Sequence, residues 1–242
     1  MGSWLANIME PLGFEIHKVG RKTSLTPEEM ARICDVVVIS VPIDETMNVI
    51  RKLAPLVREK ALLMDLTSIK NEPIVAMCKY SQAEVVGLHP LFGPEVSTDK
   101  PLRVAVCPGR GERWLDWLYK ILREAGLDIT VLQPQEHDRL MGLIQAVNHF
   151  STIALGLLIS RSGLKLDDLK RCSTLTFRER LDRIVAILDQ PGELFGSLLM
   201  DNPYSVTFLD QYLEAGKELA EIAKRKDRDA FMDLFKKMKD IL

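Results

Sequence analysis

Short β-branched runs alternate with helical stripes through the first 133 residues, and this alternation leaves little choice of fold. Asp35–Ser40 (DVVVIS) has the unbroken apolar pattern of a strand covered on both faces. Ala61–Asp65, Glu84–Leu88, Arg103–Cys107 and Asp128–Leu132 repeat it, and Phe14–Val19 (FEIHKV) is a further, shorter strand candidate. Between them, Thr26-Pro27-Glu28-Glu29 supplies an N-cap, a proline at the first helical position and a capping-box glutamate. Asp44–Val57 places Met47, Ile50, Leu53 and Leu56 on one stripe, and Asn71–Tyr80 and Glu112–Ala125 read as further helices. Strands linked through helices by short connections predict a parallel sheet flanked by helices.

At Pro134 the pattern changes. From Gln135 to Leu242 every segment reads as helix, and Phe231, Leu234, Phe235 and Met238 share a face of the last one. The expected organisation is an α/β domain over 1–133 and an all-helical domain over 134–242. Residues 140–159 (LMGLIQAVNHFSTIALGLLI) carry no charge and are long enough to span a bilayer. Gln145, Asn148, His149, Ser151 and Thr152 would be costly in lipid, and no second such segment or aromatic belt accompanies them. The segment therefore reads as a helix buried at a domain or subunit core. The later helices are too short and amphipathic to cover it, so a homodimer is expected. With 32 basic against 34 acidic residues, neither a nucleic-acid groove nor an anionic membrane surface is indicated. Cys34, Cys78, Cys107 and Cys172 are scattered without CxxC or metal-ligand spacing, which fits free thiols in a reducing, cytoplasmic setting and no metal.

A nucleotide-binding domain of the Rossmann type opens with a strand, a GxGxxG turn and a helix whose N-terminus holds the pyrophosphate. Met1-Gly2-Ser3-Trp4-Leu5-Ala6 reads as the start of that helix, with Gly2 as the third glycine. The expected fold is thus an incomplete Rossmann-type domain, its first strand absent from this sequence. Ser40-Val41-Pro42 lies where such a fold places a cofactor loop. Where NAD enzymes carry an acid on the ribose, this chain has Val19-Gly20-Arg21-Lys22. Two cations there favour the 2′-phosphate of NADP over NAD, the alternative being a solvated basic turn. Ligands of doubly wound sheets bind beyond the carboxyl ends of strands, so Ser68, Lys70 and His89 are expected to converge. Gln145, Asn148 and His149 share a helical face, either as a buried hydrogen-bond network or as a substrate pocket. Arg178, Arg180 and Arg183 by themselves read as an exposed charged face with pairs such as Glu179 to Arg183.

Together these residues resemble the prephenate dehydrogenase family. The resemblance runs along nearly the whole chain and rests on SVP (40–42), DLTSIKNEP (65–73), GLHPLFGP (87–94), EHD (136–138), QAVNHFSTIALG (145–156) and Phe177-Arg178. It implies oxidative decarboxylation of prephenate to 4-hydroxyphenylpyruvate, with hydride transfer to a nicotinamide cofactor. In that reading His89 takes the proton of the ring hydroxyl, and Ser68 orients that histidine or the hydroxyl. Arg178 holds a substrate carboxylate, with Arg183 as a second arginine, and His149 and Gln145 line the pocket. Gly2, Gly20, Arg21, Lys22, Ser40, Val41 and Pro42 would face the cofactor, and the helical domain would carry substrate binding and dimerisation. Arogenate is a rival substrate. A β-hydroxyacid or 6-phosphogluconate dehydrogenase would be expected to place a lysine where this chain has Asn148-His149. A non-catalytic dimeric relative is the remaining alternative, supported by the broken glycine turn alone.

Overall fold

The structure, a computed structural model, describes residues 1–20, 22–93 and 102–241, so Arg21 and Pro94 lie outside the described residues. The α/β part is built on one sheet with strand order β1-β2-β3-β4-β5. Strands β1 (Val36–Ile39), β2 (Leu62–Asp65) and β3 (Glu84–Pro90) are mutually parallel. Strand β4 (Arg103–Arg110) runs antiparallel to β3, and β5 (Asp128–Val131) runs parallel to β4. The expectation of a wholly parallel sheet is therefore corrected. A parallel return needs a crossover, usually helical, and residues 91–102 carry two prolines and a glycine but no helical stripe. Between β4 and β5 a crossover helix is present, and that pair is parallel.

Phe14–Val19 is extended but is not a strand, a second correction. The sheet ends at β1, so this segment has no ladder to join, and a strand exists only as one of a hydrogen-bonded pair. It faces β1 across a cleft of about 1900 Å³, lined among others by Ile16, Val36 and Val38.

Helices cover both faces. Helices α1 (Gly2–Met9) and α5 (Arg113–Glu124) bury Leu5, Leu118, Ile121 and Leu122 against Leu62, Met64, Val86, Leu88, Val104 and Val106. Helices α2 (Pro27–Ile33), α3 (Ile43–Leu53) and α4 (Asn71–Tyr80) cover Val37, Ile39, Leu63 and Val85 on the opposite face. The period-2 alternation of a strand divides Leu62 and Met64 from Leu63 in this way. The α2 capping box forms as the sequence implies: Glu29 donates its backbone N–H to the Thr26 hydroxyl at 3.2 Å, and its carboxylate accepts from Thr26 N at 2.9 Å.

From Pro134 the chain is helical: α6 (Pro134–Met141), a π-helical turn at Gly142–Val147, α7 (Asn148–Arg161), α8 (Leu166–Cys172), α9 (Leu175–Leu188), α10 (Gly192–Met200), α11 (Ser205–Arg225) and α12 (Arg228–Lys239). Residues Pro134–Arg161 form one continuous rod of 28 residues. Its most apolar 18-residue stretch is only 17% buried, with Leu143, Ile144, Leu157 and Leu158 facing outward. Among the described residues the segment is thus not the core of its own domain, and much of its apolar side is left uncovered.

Gly87 on β3 sets how closely α4 lies on the sheet. A Cβ there would stand 2.7 Å from Ile74 Cδ1 and 2.9 Å from Lys70 Cδ, and the Lys70 stem is fixed at its far end. Gly87→Ala is expected to destabilise the fold by about 1–3 kcal/mol, the usual cost of overpacking. Urea unfolding measures it; an unchanged midpoint would show that α4 slides freely.

Candidate active site

Three chain segments far apart in sequence meet at the carboxyl ends of β2 and β3. After β2, Asp65 turns inward, accepting the Thr67 backbone N–H at 3.0 Å and pairing with the Lys70 ammonium. Lys70 also donates to the Leu88 carbonyl at 3.1 Å, and both its side chain and that of Asp65 are fully buried. Burial pushes the Asp65 carboxyl upward, against the pull of Lys70 and the Thr67 N–H. Lys70 was expected to reach the ligand region. It points into the protein instead and ties the β2 loop to the β3 backbone.

His89 lies near the end of β3 and is buried. Its Nδ1 is 2.9 Å from Nε2 of His137 on α6, and His137 Nδ1 is 2.8 Å from Oδ1 of Asp138. The Asp138 carboxylate also accepts the backbone N–H groups of Lys70 at 2.7 Å and Asn71 at 2.9 Å, the first donors of α4. The N-cap of α4, Lys70, offers no capping side chain, so the cap arrives from the helical domain. Asn202, just before α11, donates to the Asp138 carbonyl at 2.8 Å and holds α6 in place. The roles of His137 and Asp138 were missed in the sequence. The EHD triplet was visible, but nothing local ties it to residues 68 positions earlier.

Burial lowers the affinity of His89 for a proton well below that of an ordinary imidazole, and positive charge on His137, when that ring is protonated, and on Lys70 acts in the same direction. His89 is therefore neutral at neutral pH, the form a proton acceptor requires. Ser68, on the loop after β2, is half-buried, and among the described hydrogen bonds it has no partner.

The second group of expected residues gathers around α7. His149 is half-buried, its Nδ1 is buried with no hydrogen-bond partner among the described residues, and its ring stands edge-on to Phe195 at 5.1 Å. Burial first, then the positive charge of Arg183, lowers its proton affinity. Phe195, Leu198 and Ile187 pack with Ile153 and with Ile43, so this cluster abuts the residue that follows the Ser40-Val41-Pro42 loop. Gln145 is half-buried within the π-helical turn, whereas Asn148 is exposed, because that turn offsets the i, i+3, i+4 face expected from sequence. Arg178 is exposed on α9, donating to the Lys170 carbonyl at 3.1 Å, and no described bond joins it to His89 or His149.

The cleft beside β1 gathers Gly2, Gly20, Ser40, Val41 and Pro42 on its walls. A Cβ on Gly2 would stand 3.1 Å from the Ser40 side chain, so the start of α1 approaches the Ser40 loop at a distance suited to glycine. The first N–H groups of α1 have no partner within the helix, as an anion site needs. Lys22 is exposed. These walls fit a phosphate-bearing nucleotide.

Comparison with known proteins bears on this geometry. Residues 17–131 match the family model described as prephenate dehydrogenase, nucleotide-binding domain, and residues 133–238 match prephenate dehydrogenase, dimerization domain. The T-protein of Haemophilus influenzae is 32% identical over 240 residues, covering 99% of this chain and 64% of the relative. A probable arogenate/prephenate dehydrogenase of Methanocaldococcus jannaschii is also 32% identical, over 98% of this chain and 57% of its own length. The chain thus spans less than two thirds of either relative. Among solved structures, prephenate dehydrogenase from A. aeolicus in complex with hydroxyphenyl propionate and NAD+ superposes with a TM-score of 0.77, at 19% identity, over 99% of this chain and 92% of the other. Synechocystis arogenate dehydrogenase gives 0.75 at 17% identity, over 99% and 94%. The shared fold is a nucleotide-binding α/β domain followed by a helical one.

The pH dependence of stability follows from His89. Its folded-state affinity for protons is depressed, so below the ordinary value of 6.5 the unfolded chain binds more protons than the folded one. Stability is expected to be flat in this respect above pH 6.5 and to fall on further acidification. His89→Asn should remove part of that slope in urea unfolding between pH 7 and 5; identical slopes would show that His89 titrates normally.

Proposed function

We propose that this chain, which belongs to the prephenate dehydrogenase family, catalyses the oxidative decarboxylation of prephenate to 4-hydroxyphenylpyruvate. The observation that carries the reading is His89: a buried, neutral imidazole at a strand end, anchored at Nδ1, in a domain whose sheet carries an open cleft along β1. The nicotinamide, when bound, accepts the hydride from the ring carbon that bears the hydroxyl. His89 takes the hydroxyl proton, and loss of carbon dioxide aromatises the ring, so the protein's task is positioning and proton removal. Ser68 orients the hydroxyl or the imidazole. Arg178 and Arg183 on α9 supply guanidinium forks for the two substrate carboxylates, and His149 and Gln145 line the pocket. The packing of α9, which carries both arginines, against α7, which carries His149, supports this placement. The intact His89–His137–Asp138 chain argues against a relative that has lost its chemistry.

Gly2, Ser40, Val41 and Pro42 hold the cofactor, and Gly20, Arg21 and Lys22 favour the extra phosphate of NADP. Residue 133 divides the nucleotide-binding from the substrate and dimerisation domain. The chain works as a cytoplasmic homodimer, its uncovered α7 face buried against a second copy rather than in lipid, where Gln145 and His149 would be poorly solvated.

One kinetic series tests the chemistry, with prephenate and arogenate each offered with NAD and NADP. His89→Asn is expected to lower kcat by about 10²–10⁴ with little change in KM, whereas Arg178→Ala raises the KM for prephenate and leaves that for cofactor alone. Near-normal kcat in His89→Asn removes it as the base; a clear preference for arogenate or for NAD overturns the substrate or cofactor assignment. Light scattering tests assembly: a mass near the 27.4 kDa of one chain would refute the dimer.

A further inference from the structure

Resting on the reading of His89 as the base, we propose that Asp138 and His137 form a relay that fixes the tautomer of His89, leaving Nε2 bare for the substrate proton. With His137 neutral, every link in the chain has one direction. A carboxylate only accepts, and that of Asp138 already takes the N–H groups of Lys70 and Asn71. His137 Nδ1, 2.8 Å from Asp138 Oδ1, is therefore the protonated nitrogen of its ring, and its Nε2 carries the lone pair. That lone pair faces His89 Nδ1 at 2.9 Å, so His89 is protonated at Nδ1. In a neutral ring this leaves Nε2 as the acceptor. Two backbone donors at the start of α4 thus determine which nitrogen of a residue on β3 can act as a base.

The same geometry gives the proton a way out. When Nε2 of His89 takes the substrate proton, the Nδ1 proton can pass to His137 Nε2, and His89 returns to neutral. The positive charge then lies on His137, in contact with the Asp138 carboxylate. It does not remain on His89, where burial and Lys70 oppose it. Among the described residues, the titratable groups around this pair are Lys70 and Asp65 at the β2 end, Asp138 on α6, and Cys107 on β4. Burial pushes the Cys107 thiol up to about 12, so it adds no charge. His137 and Asp138 are positioning residues: neither needs to touch substrate.

Histidine ¹⁵N NMR tests the relay on the chain as it stands and requires neither cofactor nor turnover. Wild-type His89, identified by its loss in His89→Asn, is expected to show a protonated Nδ1 and a bare Nε2; the opposite tautomer overturns the proposal. Asp138→Asn keeps one acceptor oxygen for the α4 backbone N–H groups and turns an NH2 donor toward His137. Both rings should invert, with kcat falling by about 10³–10⁴ while the KM for substrate stays within about twofold; the analogous exchange in a serine-protease triad costs about 10⁴. Full activity with an uninverted His89 overturns the relay. Because Asp138 also caps α4, His137 provides a second comparison that spares the cap. His137→Gln keeps an oxygen for the His89 Nδ1–H and should hold kcat within about tenfold, whereas His137→Leu should lose about 10² or more. Equal losses would mean that His137 only fills space. Unimpaired turnover by His89→Asn would instead defeat the underlying assignment of the base, whatever the NMR tautomer.

Discussion

The Asp138 carboxylate is the contact on which the rest of the site depends. It accepts two backbone N–H groups at the start of α4 and faces the His137 ring, while its own carbonyl is held by Asn202. An N-cap of this sort is worth about 0.5–2 kcal/mol when exposed. Here the carboxylate is fully buried, so removing a partner would leave a stranded charge, a far larger penalty than the loss of a cap. One side chain from the helical domain thereby sets the first turn of α4, the loop after β2 and the ring that meets His89.

The buried Lys70–Asp65 pair does complementary work from the other side. Its ammonium bonds the Leu88 carbonyl, directly before His89, and its stem packs where Gly87 leaves room. Replacing such a pair with apolar residues often costs nothing in stability. Its value here lies in position: it fixes the backbone on which the base is carried, while Asp138 and His137 fix the ring. Two charged clusters, one under the strand and one beside it, hold His89 without exposing it to water.

Much of this was legible in the sequence because the signals are local. Strand-like runs at 35–40, 61–65 and 84–88, the capping box at Thr26 and the placement of His89 at a strand end all follow from residues within a few positions of each other. What failed depends on partners. Phe14–Val19 has the composition of a strand but no ladder to join, and β4 has an ordinary strand pattern whose direction is set by the connection before it. The apolar run at 140–159 was recognisable, and the short amphipathic helices after it already implied that its own domain would not cover it. His137 and Asp138 were visible as a motif, yet their function rests on hydrogen bonds to a turn 67 and 68 residues away. The π-helical turn at Gly142–Val147 likewise broke a face that simple helical spacing had joined.

The clamp at Asp138 also separates two meanings of a domain boundary. Strands cease at Val131 and helices begin at Pro134, yet α6 is bound to α4 and β3 by its buried polar side chains. In physical terms Pro134–Met141 is bound to both halves, to α4 and β3 on one side and to Asn202 on the other. Recombination between relatives that joined halves at residue 133 would bring a foreign α6 against a native α4 turn and strand its polar groups in the interior. A crossover beyond Met141 would keep the bonds of Asp138 and His137 to α4 and β3, leaving the Asn202 bond to cross the join. The modular unit that evolution or an engineer could exchange therefore begins one helix later than the change in secondary structure implies.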